Sequence, residues 1–329
     1  MLLTSQRVFV IHPVKDPKIP LADRLQQLVA DQKRTWQQFA DACDALQEVK
    51  TRTIDCGGFP VTLQLNPRRI VSTGAHLDEE SLQSRKCFLC IENLPEEQRG
   101  ILYRDNFLIL CNPAPIFDRH FTVAHLRHLE QSIEAFPGIF LDLARELSPS
   151  YTVFYNGPRC GASAPDHMHF QICPARVLPI ETMASNDSKR ILSNEEEAVT
   201  VWTLANCGRQ CIIIESRDSQ ETERALGRLL AALRTTLAVS DEPMINVLCS
   251  FTDERWRLIV FPRSKHRPDV YYRNGEDQVL VSPAAVDLGG LMVTPLEKDF
   301  ASIDARLVES VYREVSLDAA VVERVLGAW

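Results

Sequence analysis

The stretch Asp166-His167-Met168-His169-Phe170-Gln171-Ile172 alternates polar and apolar side chains without interruption. Successive side chains of a β-strand point to opposite faces, so His167, His169 and Gln171 share one face while the apolar residues between them point to a core. Two histidines on the solvated face of a strand can also be without function. The alternation therefore predicts a half-buried strand, and a chemical role depends on the motifs around it.

A glycine-rich loop precedes this strand. Residues 156–163, Asn156-Gly157-Pro158-Arg159-Cys160-Gly161-Ala162-Ser163, combine two glycines with short polar side chains. Such a composition suits a loop whose backbone N–H groups surround a phosphate, and it also occurs in ordinary connections between strands. In the phosphate interpretation, Asn156, Gly161 and Ser163 are the candidate substrate-binding residues.

A second feature is the pair Cys87-Phe88-Leu89-Cys90. Two cysteines at this spacing can direct two thiolates at one zinc ion, which needs four ligands in a tetrahedron. A redox pair is the alternative, but that motif usually opens a helix within a βαβ pattern, which the flanking sequence lacks. The two remaining zinc ligands are expected within one histidine cluster, which comprises His120, His125, His128, His167 and His169.

The order of predicted elements indicates an α+β fold built from two similar halves. Residues 21–49 carry apolar residues at spacings of three, four and seven, which predicts an amphipathic helix that packs as a brace. Strand pair, helix and strand pair then follow each other twice along the chain. We therefore expect antiparallel sheets flanked by helices, with a first half at 1–182, a degenerate second half at 195–329, and the polar stretch 183–195 as a linker.

Length and charge exclude several classes of protein. With 329 residues, 45% of them hydrophobic and 24% charged, the chain is long enough for two packed halves and too apolar to be disordered. The formal net charge of −8 repels polyanions, which argues against a nucleic-acid binder. No apolar run approaches the roughly 20 residues of a membrane span, and residues 1–20 lack a secretory signal. We therefore expect a cytoplasmic protein without a membrane or nucleic-acid partner.

The densest basic run of this acidic chain is Phe261-Pro262-Arg263-Ser264-Lys265-His266-Arg267-Pro268. Such a run is commonly a solvated loop, and it can instead bind phosphate. In the second interpretation, Arg263 and Lys265 are candidate ligands for the phosphate of an acceptor substrate, contributed by the second half to the site on the first. Residues 66–69 and 72–74 are further candidates for contact with a base or ribose.

Together these motifs resemble the histidine-triad superfamily, in the branch of galactose-1-phosphate uridylyltransferase, diadenosine tetraphosphate phosphorylase and the GDP-hexose phosphorylases. The resemblance is strong over residues 85–175, whereas over 195–329 only the order of elements agrees. The matching motifs are Cys87-x-x-Cys90, Pro115-Ile116 with His120-Phe121-Thr122-Val123 and His128, Asn156-Gly157, Gly161-Ala162-Ser163, and His167-Met168-His169-Phe170-Gln171. The stretch 66–98 also resembles a bacterial family of this branch.

The resemblance implies a zinc ion. Its ligands in this sequence are Cys87, Cys90, His128 and His167. The proline that precedes the zinc histidine in the superfamily is replaced around His125, which makes His125 an alternative to His128. Four protein ligands leave no open position for water, so the zinc is expected to be structural.

The resemblance also implies the chemistry of the strand motif. His169 is the implied nucleophile, which attacks the α-phosphorus of a nucleotide and becomes a nucleotidyl-imidazole. Gln171 occupies the position of the third triad histidine of the hydrolase branch. A neutral amide can donate to a phosphoryl oxygen, but it cannot transfer a proton to water near neutral pH. Transfer is therefore favoured over hydrolysis.

These features predict a nucleotidyltransferase or phosphorylase that acts by double displacement. Its donor is a nucleoside diphosphate-sugar or a dinucleoside polyphosphate, and its acceptor carries a phosphate. Two other functions stay open: a zinc-stabilised nucleotide-binding regulator without turnover, and a nucleotide hydrolase. The base and sugar of the donor follow from no motif, and a homodimer is compatible with the sequence.

Overall fold

Two β-sheets form the framework of the molecule. The computed structural model describes residues 6–12, 19–74 and 79–329, so the stretch 1–20, predicted to lack a secretory signal, lies partly outside the described residues. The strands are β1 (Val8–His12), β2 (Lys50–Asp55), β3 (Pro60–Leu65), β4 (Gly100–Tyr103), β5 (Phe107–Cys111), β6 (Phe121–His125), β7 (Tyr151–Asn156), β8 (His169–Pro174), β9 (Arg190–Glu195), β10 (Val199–Leu204), β11 (Ile212–Ser216), β12 (Ile245–Thr252), β13 (Arg255–Pro262) and β14 (Leu291–Thr294). The helices are α1 (Leu21–Thr35), α2 (Gln37–Gln47), α3 (Ile70–Thr73), α4 (Glu79–Ser84), α5 (Pro137–Glu146), α6 (Pro179–Ala184), α7 (Ser219–Leu237), α8 (Ala285–Leu288), α9 (Glu297–Ser302), α10 (Ala305–Val315) and α11 (Ala319–Gly327). None of the described helices has the length and apolar composition needed to cross a membrane.

The large sheet runs through both halves of the chain. It holds eleven strands in the order β1-β4-β5-β6-β8-β7-β12-β13-β11-β10-β9, and the small sheet holds β14-β3-β2. In the large sheet, all neighbours are antiparallel except β1 and β4. The halves join where β7 pairs with β12, with Asn156 opposite Asn246. The order β5-β6-α5-β7-β8 recurs as β10-β11-α7-β12-β13, which confirms the predicted α+β class with two halves of antiparallel sheet.

The N-terminal brace is two helices instead of the one predicted over 21–49. Between α1 and α2, Trp36 adopts an extended backbone with φ −131° and ψ 93°. The break buries the indole of Trp36, which stacks on Phe39 with 5.6 Å between ring centroids. The predicted apolar stripe still packs on the large sheet, through Leu21, Leu25, Leu28, Phe39 and Cys43.

The polar stretch 183–195 is not the linker that its composition predicts. Its last six residues form β9 at the edge of the large sheet, and its first two complete α6. An edge strand has one neighbour and one open side, so polar residues suit it and its composition is similar to that of a loop. The domain limits 1–182 and 195–329 stay a prediction.

Both faces of the large sheet are covered. One face packs against α1, α2, α5, α7 and α11, and β8 contributes Phe170 and Ile172 to this core. The other face packs against the small sheet and the helices α6, α8 and α10, and β8 contributes Cys173 there. Alternate residues of a strand share a face, so His169 and Gln171 point to this second face. The covering layer there comes from the hairpin β2-β3 and from the C-terminal part of the chain.

Candidate active site and metal centre

The sequence motif at 166–172 is divided between a turn and a strand. β8 begins at His169, so His167 lies in the turn before it, and β8 is flanked by β6 and β7. Gln131 fixes the start of the strand, because its carboxamide accepts from the His169 N–H at 2.8 Å and donates to the His169 carbonyl at 2.9 Å. The backbone under the His169 side chain is therefore held on both sides.

His169 is a neutral imidazole with one nitrogen available. The residue is 3% exposed, and its Nδ1 lies 2.8 Å from the His167 carbonyl oxygen. A carbonyl oxygen only accepts, so Nδ1 carries the proton and Nε2 keeps its lone pair. Burial lowers the pKa of His169 to about 4, so the ring is uncharged near pH 7. This is the tautomer and the charge state that a nucleophilic imidazole needs.

A cavity of about 60 Å³ adjoins the polar face of β8. The part of the cavity wall that comes from the first half of the chain contains four site residues predicted from the sequence: Asn156, Gly161, Ser163 and Gln171. The opposite wall comes from the C-terminal part of the chain and includes Ser282, Ala284 and Asp287. Folding therefore brings the candidate substrate-binding residues of the first half together with a cover from the second.

The glycine-rich loop is held in place by that cover. Gly161 has φ 87°, and a Cβ at this position would lie 2.6 Å from the Cβ of Ala284, so both the backbone conformation and the space require glycine. The side-chain oxygen of Asn156 accepts from Asn246 Nδ2 and from the Ala285 N–H, each at 2.8 Å. Asn156 therefore links the loop to β12 and to α8.

Arg69 is a cationic residue in the cavity wall. Its Nη1 donates to the Ala114 carbonyl at 3.0 Å, and no carboxylate of the described residues forms an ion pair with it. Asp287, in the same wall, uses its two carboxylate oxygens to accept the backbone N–H groups of Ala284 and Val293. A half-buried guanidinium with donors to spare can bind a phosphate through two hydrogen bonds. The sequence predicts Arg69 only as a contact for a base or ribose.

Arg263 and Lys265 do not form the predicted phosphate site. Arg263 is 1% exposed, and its guanidinium donates to five oxygen atoms of the protein, so none of its N–H groups is left for a phosphate. Lys265 lies at the surface in ion pairs with Asp269 at 2.5 Å and Glu314 at 3.0 Å. The charges of the basic run are therefore used within the second half, where they bind oxygens of neighbouring residues and of the more distant Asn246, Pro283, Glu314 and Val315.

A separate cluster can hold a metal ion. The ligand atoms of its four side chains lie within 4.8 Å of one another; they belong to Cys87, Cys90, His128 and His167. Cys87 Sγ is 3.3 Å from His167 Nδ1, and Cys90 Sγ is 3.2 Å from His128 Nδ1. A tetrahedral zinc with its usual bond lengths separates sulfur and nitrogen ligands by roughly 3.6 Å, so two thiolates and two imidazoles at this spacing fit zinc.

Hydrogen bonds around the cluster orient its histidines. His167 Nε2 donates to the His125 carbonyl at 2.7 Å, which leaves Nδ1 unprotonated on the side of the cluster. His128 Nε2 lies 3.6 Å from the Asp166 carboxylate. The His125 imidazole instead accepts from the Arg127 N–H at 3.1 Å and takes no part in the cluster. Of the two alternatives considered for the fourth ligand, the geometry brings His128 to the cluster.

The sequence predicts His120 as one of five candidate metal ligands, but the structure places it outside the metal cluster. Its Nε2 lies 2.8 Å from Gln171 Oε1, and its Nδ1 accepts from the Ile116 N–H at 3.3 Å. His120 and Gln171 are 51 residues apart. They meet because β6 pairs with β8, with Thr122 opposite Gln171. No local pattern in the sequence connects the two residues.

Two family models match successive parts of the chain. Residues 28–174 match the model described as "Domain of unknown function (DUF4922)", and residues 181–327 match the model described as "GDPGP1-like, C-terminal domain". These matches support the resemblance to the histidine-triad superfamily. As the sequence motifs predict, the resemblance lies in the branch of galactose-1-phosphate uridylyltransferase, Ap4A phosphorylase and GDP-hexose phosphorylase.

Solved structures of this histidine-triad branch share the fold. Yeast Ap4A phosphorylase Apa2 in complex with AMP has a TM-score of 0.54 and 15% sequence identity, over 91% of this chain and 98% of that chain. A second structure of Apa2 has a TM-score of 0.56 at 15% identity, over 91% of this chain and 96% of that chain. A comparison with curated proteins gives no match. At this identity, the structural likeness establishes the fold of both halves.

Proposed function

We propose that this protein is a nucleotidyltransferase or phosphorylase that works through a nucleotidyl-His169 intermediate. The observation that carries the proposal is the His169 imidazole, buried and neutral, with its proton on Nδ1 and its lone pair on Nε2, on the strand face that also carries Gln171. The names of the matched relatives, a GDPGP1-like domain and an Ap4A phosphorylase, support a nucleoside diphosphate-sugar or a dinucleoside polyphosphate as the donor.

The reaction proceeds in two displacements. In the first, the Nε2 lone pair of His169 attacks the α-phosphorus of the donor, and the bond from that phosphorus to the bridging oxygen breaks, with its electron pair leaving on the phosphate of the first product. The imidazole then carries a positive charge, which the hydrogen bond from Nδ1 to the His167 carbonyl stabilises. In the second, an acceptor oxygen attacks the same phosphorus, the N–P bond breaks and neutral His169 is restored.

Gln171 supports transfer rather than hydrolysis. The first displacement concentrates negative charge on the non-bridging oxygens of the phosphoryl group, and a carboxamide N–H can stabilise that charge. The same group has no pKa near neutrality, so it cannot take a proton from water. An acceptor that arrives as a phosphate anion needs no such base.

The acceptor in this proposal is inorganic phosphate or a sugar 1-phosphate, bound at Arg69. An anion that approaches a phosphoryl group needs a cation close to the line of attack, and Arg69 lines the cavity with Gln171. This role replaces the one predicted for Arg263 and Lys265, whose charges are used within the second half.

A structural zinc ion in the cluster of Cys87, Cys90, His128 and His167 completes the proposal. The ion would hold the cysteine turn and the turn before β8 together, and the carbonyl of its ligand His167 accepts from His169 Nδ1. No step of the transfer passes through the metal. Its contribution is the position of the His167 backbone under the nucleophile.

Intact-protein mass spectrometry tests the intermediate directly. The protein is mixed separately with diadenosine tetraphosphate and with GDP-, UDP- and ADP-hexoses, without acceptor. With a competent donor, the mass should rise by one nucleoside monophosphate in an acid-labile, alkali-stable linkage, and His169→Ala should give no adduct. The matched control is His12→Ala, on the edge strand β1 four strands away from β8, which removes a histidine bonded to Glu146. An undiminished turnover rate in His169→Ala would remove His169 from the mechanism.

Measurements of binding and turnover with the same donors separate the other two functions. Nucleotide binding without an adduct or turnover would indicate the zinc-stabilised regulator. Release of the nucleoside monophosphate into water at the rate of transfer would indicate a hydrolase. A cytoplasmic location and a homodimer stay predictions, and gel filtration with light scattering measures the second.

A further inference from the structure

His120 is a buried histidine that the reaction described above leaves without a role. It lies just before β6 and is 3% exposed. Its ring is stacked on Phe154 and edge-on to Phe117, with centroids 6.0 and 5.7 Å away. An imidazole enclosed in this way has to satisfy both nitrogens within the protein, because water cannot replace a missing partner.

The position of the single proton on this ring follows from its partners. The Ile116 N–H points at Nδ1, and a backbone N–H only donates, so Nδ1 is the acceptor and carries no proton. Burial lowers the pKa of His120 to about 3, so the ring is neutral and its one proton is on Nε2. The atom of Gln171 that faces Nε2 must therefore be the carboxamide oxygen, at 2.8 Å. The reverse orientation of the amide would place two donors against each other.

We propose that His120 is a positioning residue, which holds the Gln171 carboxamide so that its NH₂ group faces the phosphoryl group. This inference rests on the proposed function and adds to it the origin of the amide orientation. A carboxamide is nearly symmetrical in shape, so rotation by half a turn exchanges two N–H donors for an oxygen acceptor at little steric cost. Facing a phosphoryl oxygen, the first orientation attracts and the second repels. The Nε2–H of His120 selects between them.

Two substitutions that differ by one terminal group test this selection. In His120→Gln, the carboxamide can accept from the Ile116 N–H with its oxygen and donate to Gln171 with its nitrogen, as histidine does. In His120→Glu, both oxygens of the ionised carboxylate accept, so at a pH high enough to ionise it the Gln171 amide has to turn its NH₂ group toward residue 120. We expect kcat to fall by about 10²- to 10³-fold in His120→Glu, as in Gln171→Ala, and to stay within about tenfold in His120→Gln.

A double-mutant cycle separates positioning from a general structural effect. If His120 acts through Gln171, the variant His120→Glu with Gln171→Ala should be no slower than Gln171→Ala alone, and the KM for the donor should change less than kcat. Thermal unfolding of each variant shows whether it is folded at the assay temperature. Independent, multiplying losses in the double variant would overturn the inference, and so would equal losses in His120→Gln and His120→Glu.

A readout without substrate distinguishes this inference from the proposed function. In protein labelled with ¹⁵N-glutamine, the side-chain NH₂ signals of Gln171 are assigned by their loss in Gln171→Ala. We expect these signals to move in His120→Glu, and to stay near their wild-type positions in His120→Gln. If the wild-type chain transfers no nucleotide but the signals respond in this way, the proposed function fails and the hydrogen bond is supported. If the Gln171 NH₂ signals do not move in His120→Glu, the positioning role is overturned whatever the activity of the variant.

Discussion

Replacement of Arg263 by methionine tests whether a buried guanidinium supports the glycine-rich loop from behind. Arg263 Nη1 donates to Asn246 Oδ1 at 2.6 Å, and Asn246 Nδ2 donates to Asn156 Oδ1 at 2.8 Å and to the Cys160 carbonyl at 2.7 Å. The other N–H groups of Arg263 donate to the carbonyls of Val315, Pro283, Lys265 and His266. Methionine keeps an unbranched apolar stem and removes every donor, so five oxygens lose a partner.

The expected loss of stability follows from two opposing effects. A hydrogen bond from a charged donor contributes about 1.5–3 kcal/mol, and five such bonds are lost together. The substitution also removes the cost of burying a charge without a carboxylate partner, which is several kcal/mol. We therefore expect the free energy of unfolding to fall by about 3–5 kcal/mol. Displacement of Asn156 and the loop by 1 Å should lower the rate of transfer by about 10²-fold.

Urea unfolding followed by tryptophan fluorescence measures the stability, and the control comes from the same basic run. Lys265→Ala removes two ion pairs at the surface, so it should cost less than about 1 kcal/mol and leave the acceptor KM unchanged. Arg263→Lys keeps the charge with fewer donors and should fall between Arg263→Met and the wild type. A change below 1 kcal/mol in Arg263→Met would refute this reasoning. A raised acceptor KM in Lys265→Ala would restore the phosphate site that the sequence suggests.

Elemental analysis of protein purified without added metal measures the zinc content. Cys90→Ser should lower this content from one zinc per chain to near zero, whereas His125→Ala should leave it unchanged. Retention of the metal by Cys90→Ser would contradict the ligand set. Gly161→Ala should destabilise the protein, because φ is 87° there and the added Cβ has no room. Gly227→Ala, at an open position of α7, should stabilise the protein by about 0.5–1 kcal/mol. Equal melting temperatures of the two variants would contradict this prediction. Burial lowers the pKa of His120 to about 3 in the folded protein, so between pH 6.5 and 3 only the unfolded chain binds a second proton on this imidazole. The free energy of unfolding therefore decreases as the pH falls through that window. His120→Gln should reduce the slope of unfolding free energy against pH there by up to about 1.4 kcal/mol per pH unit, and an unchanged slope would disprove the shift.

Local patterns were sufficient for His169 and Gln171 and for half of the metal cluster, but the strand begins only at His169, so His167 does not share its face as predicted. The alternation of polar and apolar residues places His169 and Gln171 on one face of β8, because the direction of a side chain in a strand depends only on its parity. The spacing of Cys87 and Cys90 likewise depends on one short turn. The α+β class followed from the order of elements, which is also a property of short segments read one after another.

Long-range contacts decide the features that the sequence did not reveal. Arg263 is a buried scaffold because folding brings Asn246, Pro283 and Val315 around it, and a count of basic residues cannot show this. The partner of His120 depends on the register between β6 and β8. The stretch 190–195 has the composition of a linker because an edge strand meets solvent along one side. In each case, the chemical character of the residue could be predicted from the sequence, but its partner in the folded protein could not.

The pairing of β7 with β12 leaves no hinge between the halves. Eleven strands share one hydrogen-bonded ladder, so the halves cannot swing apart without breaking backbone bonds at the centre of the sheet. The cavity encloses about 60 Å³, whereas sites for drug-sized ligands enclose roughly 300–1,000 Å³. Room for a nucleotide therefore has to come from the layer above the sheet, where the four-residue helices α3 and α8 contribute Thr73 and Asp287 to the walls. In the proposed function, local opening of this layer would admit substrate and release product, while the sheet that carries His169 would keep its backbone hydrogen bonds.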